Sequence, residues 1–294
     1  MITHIDATNY RCFEKLSIPT RELVVVAGAN GSGKTTLLDI PVLLGDLLRS
    51  RSISSAFMDP ILSRGPRAST LGELCFRHHG ESFSLGIEAR LPDAVRDAVV
   101  KRSTPTVQKD TSKHPTHIRY ELRLRVNEHQ MAVQNEYLFL FTHSDAYEAD
   151  RLPLQGENAR QKGWHFIINR EDGRDTGFRP ERFGPAPRRR SPKDAELEEE
   201  RSARIDETLP AFLRIQVENK DEFPASTWLL NLLRDGVVMN LDWNAVNAQA
   251  TELYDAIMAT FAPELDGNQV DCVGPAVCVA RATGEDEAYF GCLL

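Results

Sequence analysis

The sequence has no apolar run of the roughly 18 consecutive residues that a membrane-spanning helix needs. Its N-terminus, MITHIDATNY, has neither the basic start nor the apolar stretch of a secretory signal. These two absences argue against membrane and secreted classes of protein. We therefore expect a cytoplasmic protein without a membrane partner.

Cysteine and excess positive charge are also scarce. No two cysteines have the CxxC spacing of a zinc site or a redox motif, which favours free thiols in a reducing compartment. The formal net charge is −8 at pH 7, and this argues against general affinity for polyanions but leaves room for a local basic groove. The five cysteines are Cys12, Cys75, Cys272, Cys278 and Cys292.

A phosphate-binding motif is present near the N-terminus. Residues 28–35 read GANGSGKT, which matches G-x-x-x-x-G-K-[ST] at every fixed position. The apolar run LVVVA before it predicts a buried parallel strand, and TTLLDI after it predicts the start of a helix. In such a loop the glycines let the backbone amides face the phosphates at the positive end of the helix dipole. The motif predicts that the chain binds a nucleoside triphosphate.

Individual roles follow from the residue types in this loop. Lys34 is expected to place its ammonium group against the β and γ phosphates, and the Thr35 hydroxyl is expected to bind Mg²⁺. No residue is assigned a catalytic role. The predicted nucleotide-binding residues in the loop are Gly28, Asn30, Gly31, Ser32, Gly33, Lys34, Thr35 and Thr36.

Two segments together narrow the class of phosphate-loop protein. NYRCFEKLSI, read as part of an N-terminal strand pair, and GANGSGKTTLLD resemble the N-terminal segment of the ABC-type ATPase heads of RecF, SMC and OLD-family proteins. A looser similarity to the OLD-like ATPases lies in LLNLLRDGVVMNLDW. The resemblance implies an α/β P-loop fold, in which a mixed sheet is joined by an antiparallel β subdomain and a helical subdomain. It also implies ATP with Mg²⁺ as cofactors and places Arg11 near the adenine and ribose, although a solvated or salt-bridged arginine is equally compatible.

The resemblance further implies a role in DNA repair, DNA maintenance or phage defence. Heads of this type close as dimers around ATP, so a homodimer or a completing second chain, DNA, and a nuclease partner are the implied partners. Four other elements of a complete head are not assigned in the sequence: the sensor glutamine, the signature loop, the Asp-Glu pair and the switch histidine. Gln108, Gln130 and Gln134 cannot be ranked for the sensor role.

The missing elements leave several interpretations open. We expect one of three cases: the chain is incomplete at its C-terminal end, the head is divided between two chains, or the chain is a degenerate nucleotide-binding module. Each predicts stronger ATP binding than hydrolysis, because Lys34 and Thr35 cannot polarise the attacking water. A non-hydrolysing regulatory or interaction module is the alternative function.

Periodicity predicts most other elements. A helix is expected from residue 33 to about 49, interrupted by Pro41. Residues 51–68 predict a loop with at most a short helix, and 92–115 an exposed excursion. THIRYELRLRV alternates as a half-buried strand with Arg119 and Glu121 on its outer face. Further strands are predicted in LGELCFRHHG, SFSLGIEARL, AVQNEYLFLF and WHFIINR, and a helix in FPASTWLLNLLRDG.

Three regions are expected along the chain. Residues 1–178 form the nucleotide-binding lobe with its antiparallel strands, 179–206 a charged linker or helical insertion, and 207–294 the start of a helical lobe with following strands. The linker assignment rests on prolines, an arginine triplet and an acidic block within RPERFGPAPRRRSPKDAELEEERSARID.

Overall fold

A computed structural model describes residues 1–21, 24, 26, 28–61, 65–127, 130–142, 164–183, 201–215 and 222–235. Within these residues the chain forms one antiparallel sheet with helices. The strands are β1 Ile2–Tyr10, β2 Phe13–Pro19, β3 Ser82–Arg90, β4 His117–Val126, β5 Met131–Phe141, β6 His165–Arg170, β7 Thr176–Phe178 and β8 Arg201–Ala203.

Six α-helices and three short 3₁₀ turns accompany these strands. None of the described helices is long and apolar enough to span a membrane. The helices are α1 Lys34–Leu47, α2 Ile53–Met58, α3 Asp93–Arg102, α4 Pro105–Lys109, α5 Phe212–Ile215 and α6 Pro224–Asp235, and the 3₁₀ turns are Leu71–Leu74, Phe76–His78 and Thr111–Lys113.

The sheet has the strand order β2-β1-β3-β4-β5-β6-β7-β8. Every pairing between these strands is antiparallel, from β1 with β2 at one edge to β7 with β8 at the other. The strands predicted in SFSLGIEARL, THIRYELRLRV, AVQNEYLFLF and WHFIINR are confirmed as β3, β4, β5 and β6. Of the expected mixed sheet, the described strands supply only the antiparallel part.

The main core lies between one face of the sheet and the helices. Ile5 of β1, Leu85 of β3 and Leu122 of β4 are buried there with Leu43 of α1 and Leu229 of α6. Their alternation along each strand puts them on one face, as the period of two requires. This packing brings α1, which follows the phosphate loop, against the sheet.

Two expectations from periodicity are wrong. LGELCFRHHG forms two 3₁₀ turns instead of a strand, so no hairpin joins it to β3. Residues 92–115 contain α3 and α4, which bury Val99 and Val107, so this segment is not simply an exposed excursion. The strand predicted in LVVVA lies mostly outside the described residues, and its two described members, Val24 and Val26, are half-buried.

Two of the four charged side chains on the outer face of β4 are buried, whereas Arg123 and Arg125 are half-buried. Arg119 is 1% exposed and Glu121 4% exposed. Arg119 donates to Glu121 Oε1 at 2.6 Å and to Asp6 Oδ2 on β1 at 2.6 Å. The alternating pattern did not predict this cluster, because alternation places charged side chains on the solvated face. Charged side chains can nevertheless be buried when they are paired and hydrogen-bonded.

Two buried glutamates attach the C-terminal helices to the sheet region. Glu136 of β5 accepts from the backbone N–H groups of Ala211 and Phe212 at 2.6 and 2.9 Å. Glu181 accepts from the N–H groups of Ala225 and Ser226, at 2.6 and 2.7 Å, at the start of α6. Carboxylates at helix N-termini satisfy amides that have no partner within the helix.

The predicted helix in FPASTWLLNLLRDG is confirmed as α6. The helices and strands that were expected after Asp235 lie outside the described residues, as does most of the charged segment, residues 184–200. The division into three regions at 179–206 stays a prediction.

Candidate functional site

The phosphate-loop motif lies in an exposed loop that leads directly into α1. Residues 28–32 are exposed, and Gly33 is the residue before the helix. Gly31 has φ 77° and Gly33 has φ 93°, a region that residues with a side chain rarely adopt. The two glycines are therefore required by the backbone path of the loop.

The Lys34 side chain folds back over the loop. Its Nζ donates to the carbonyl oxygens of Gly28 at 2.7 Å and Ala29 at 2.8 Å. The loop is also closed by a hydrogen bond from the Ser32 N–H to the Ala29 carbonyl at 3.2 Å. The ammonium group is thus held within the loop, and a bound phosphate could replace the two carbonyls as its hydrogen-bond partner.

The N-terminus of α1 offers further donors to an anion. No side chain caps it, and its first turn holds no acidic residue. The first amides of an α-helix have no partner within the helix, and the helix dipole makes this end positive. Loop, lysine and helix end therefore fit a phosphate group, and Thr35 is exposed in the first turn, where its hydroxyl is available to a cation.

The turn between β1 and β2 packs against the loop. A Cβ atom on Gly33 would lie 2.6 Å from Cys12 Sγ and 2.9 Å from Phe13 Cε1. Cys12 and Phe13 therefore form one wall of the loop, a role that the sequence did not predict. The sequence offered one indication of this role, because both residues directly follow Arg11 within the NYRCF segment.

Arg11 has a strained backbone and a defined side-chain partner. Its φ is 51°, its N–H donates to the Leu74 carbonyl at 2.8 Å, and its Nη2 donates to the Arg67 carbonyl at 2.7 Å. The structure therefore brings Cys12 and Phe13 to the phosphate loop and turns the Arg11 guanidinium toward Arg67. The nucleotide contact of Arg11 stays a prediction.

The described residues do not identify the other expected elements of a complete head. Gln108 donates its side-chain amide to the carbonyls of Lys101 and Ser103, at 2.9 and 2.8 Å. In the described part of the chain no three His, Cys, Asp or Glu side chains are grouped to hold a metal ion. Residues 236–294 lie outside the described residues.

Comparison with known proteins gives one short sequence match. The chain is similar to an OLD nuclease. The relative, from Thermus scotoductus, is 38% identical over 63 residues, which are 20% of this chain and 12% of the relative. The match thus spans about an eighth of the relative's length, and no family model matches the chain.

A solved structure also aligns with the fold. It comes from the structural biochemistry of ATP-driven dimerization and DNA-stimulated activation of SMC ATPases. The alignment has a TM-score of 0.30 and 17% sequence identity, and it covers 47% of this chain and 68% of that chain.

Proposed function

We propose that the chain binds ATP with Mg²⁺ as an ABC-type ATPase head of the kind found in RecF, SMC and OLD proteins. One observation carries the proposal: the Lys34 ammonium lies inside a glycine-turned loop at the uncapped N-terminus of α1. Lysine, orphan amides and a first-turn hydroxyl are the groups that phosphate loops use to bind nucleotide and metal.

Different residues would hold the phosphates and the metal ion. Backbone N–H groups of residues 31–36 and the Lys34 ammonium would hold the phosphates, and the Thr35 hydroxyl would hold the cation. A bound Mg²⁺ neutralises part of the phosphate charge. The loop residues are exposed, so the triphosphate can enter from solvent.

The biological role belongs to the same proposal. The match to an OLD nuclease and the NYRCF and GANGSGKTTLLD segments support a head that works in DNA maintenance, DNA repair or phage defence. We propose a homodimer, or a second chain that completes the site, with DNA and a nuclease as further partners. The isolated chain is expected to bind ATP better than it hydrolyses it.

Titration calorimetry with ATP and Mg²⁺ tests the binding. Wild-type protein is expected to bind one ATP per chain, and Lys34→Ala is expected to abolish the binding heat while the protein remains folded by circular dichroism. Lys101→Ala is the control, because it removes an exposed helical lysine in α3. Equal affinity of Lys34→Ala and wild type would refute the proposed site.

Light scattering and a turnover assay test the assembly. ATP with Mg²⁺ is expected to raise the mass of the particle if two heads close around the nucleotide. Phosphate release by the pure chain is expected to stay near background. Sustained turnover of ATP by the monomer would contradict the expectation that this chain lacks parts of the catalytic site.

A further inference from the structure

Arg67 joins α1 to α2 through its side chain. Its guanidinium binds the Asp39 carboxylate in a fork, with Nε to Oδ2 at 2.7 Å and Nη2 to Oδ1 at 2.9 Å. Nη2 also donates to Asp46 Oδ2 at 2.6 Å, and Nη1 to the Ala56 carbonyl of α2 at 2.9 Å. The side chain is 9% exposed, so these bonds are shielded from water.

The backbone of Arg67 makes further connections. Its N–H donates to the Phe57 carbonyl at 2.8 Å, and its own carbonyl accepts from Arg11 Nη2 at 2.7 Å. Arg11 directly precedes Cys12 and Phe13, the residues that pack on Gly33. One residue therefore holds both α1 and the turn that forms a wall of the phosphate loop.

Asp39 lies close to the end of α1 that would meet the phosphates. It follows Thr35 by four residues, and residues four apart share one face of a helix. A carboxylate one turn behind the phosphate groups would repel them, unless a fixed positive charge offsets it. The Arg67 fork supplies that charge at a defined place, and it shares the charge with Asp46, seven residues further along α1.

A third observation shows that these charges share one environment with β1. Burial, and after it the nearby Asp39 carboxylate, raise the pKa of the Tyr10 phenol well above its usual value. Tyr10 is fully buried and pairs with Cys75 in an isolated antiparallel β-bridge. Cys75 directly follows Leu74, whose carbonyl accepts from the Arg11 N–H. The positive charges of Arg11 and Arg67 oppose the effect of Asp39 on the pKa of Tyr10, so all three charged groups lie near its phenol.

We propose that Arg67 is a positioning residue of the phosphate site: it neutralises Asp39 behind Thr35 and, through its carbonyl, holds the turn that walls the loop. This inference rests on the proposed ATP binding and adds a residue that the phosphate-loop motif does not contain. Removing the Arg67 side chain leaves the carbonyl that binds Arg11 in place, so the loss should come from the Asp39 charge and should lower affinity for the charged phosphates in particular.

Affinity for ATP with Mg²⁺ in a set of matched variants tests the inference. Arg67→Ala is expected to weaken ATP binding by about tenfold or more, because the Asp39 charge is less compensated. Adding Asp39→Asn to Arg67→Ala is expected to restore affinity to within about threefold of wild type, since the repelling charge is gone. Adenosine serves as a probe without phosphates, and its affinity should not follow this pattern.

Stability measurements separate positioning from folding. The double variant is expected to melt as low as Arg67→Ala, because neither has the fork, while its ATP affinity recovers. Arg67→Gln also removes the charge but keeps a polar side chain, and it provides the same test, with Asp39→Asn added, if Arg67→Ala does not fold. Arg96→Ala is the control, because it breaks an exposed pair with Asp93 on α3.

The outcomes distinguish the two proposals. If wild type binds ATP and Lys34→Ala does not, the proposed function stands and the Arg67 variants judge the inference alone. Wild-type affinity in folded Arg67→Ala, or no recovery on adding Asp39→Asn, would overturn the role of Arg67. If wild type does not bind ATP at all, both proposals are refuted.

Discussion

Gly45 of α1 and Leu233 of α6 bring the backbones of their helices into direct contact. A Cβ atom on Gly45 would lie 2.1 Å from the Leu233 carbonyl oxygen. Beside this contact, the Arg234 guanidinium donates to the Leu48 carbonyl just after α1. The helix that follows the phosphate loop is therefore joined to the last described helix of the chain without space for a side chain between them.

Gly45→Ala is expected to destabilise the fold by about 2 to 4 kcal/mol, because the new methyl group meets backbone that cannot rotate away. The intrinsic preference of helices for alanine works in the opposite direction. Urea unfolding measures the difference. Gly72→Ala is the control, since a Cβ there meets no atom within 4 Å, and it should change stability by about 0.5 kcal/mol or less. Equal effects of both changes would contradict the close packing of α1 and α6.

Gly33→Ala and Gly31→Ala separate backbone strain from steric overlap in the phosphate loop. Both positions have positive φ, so each alanine should cost about 1 kcal/mol in strain. Only Gly33 is crowded, because a Cβ there overlaps Cys12 and Phe13, whereas Gly31 faces open space. Gly33→Ala should therefore cost a further 1 to 3 kcal/mol or so in thermal or urea unfolding. Similar costs for the two variants would show that Cys12 and Phe13 do not form a wall of the loop.

Arg119→Leu tests the buried charge cluster on the outer face of the sheet. Removing the guanidinium takes away the buried positive charge that Asp6 and Glu121 share, which should destabilise the fold by about 3 to 5 kcal/mol. Arg123→Leu is the matched control on the same face of β4, where a half-buried arginine donates to Ser82 Oγ. Its cost should be about 1 kcal/mol. A small effect of Arg119→Leu in urea unfolding would argue that the cluster contributes little to stability.

Glu181 should make stability depend on pH near neutrality. Burial raises the pKa of its carboxyl to about 7, although Ser226 and the amides at the start of α6 oppose the shift. Between the ordinary pKa of a glutamate and about 7, the folded protein keeps a proton that the unfolded chain has released. This contribution to stability is therefore present at low pH and is lost as pH rises to about 7, by up to about 3 kcal/mol.

Glu181→Gln isolates that contribution, because glutamine does not titrate. The free energy of unfolding of wild type minus that of Glu181→Gln should fall between pH 5 and pH 8. Urea unfolding across this range measures it. A difference that rises with pH would instead mean that the ionised carboxylate is the form that α6 stabilises in the fold.

Local patterns predicted the elements whose signals are contained within a few residues. Alternation identified β4 and β5, and the phosphate-loop motif identified both the loop and the start of α1. The same approach failed at LGELCFRHHG, where β-favouring residues form 3₁₀ turns held by Arg11 and Asn9 from another part of the chain. Such contacts carry no local sequence signal.

The sequence by itself determined that a phosphate loop precedes a helix, because glycine backbone freedom, the lysine charge and the helix dipole are properties of neighbouring residues. Only the tertiary structure decided that Cys12 and Phe13 wall this loop, that Arg67 binds Asp39, and that Arg119 is buried against Asp6, 113 residues away. These pairings depend on how the sheet and α1 pack. Burial then increases the energetic effect of charged groups and backbone contacts that the sequence pattern places in solvent.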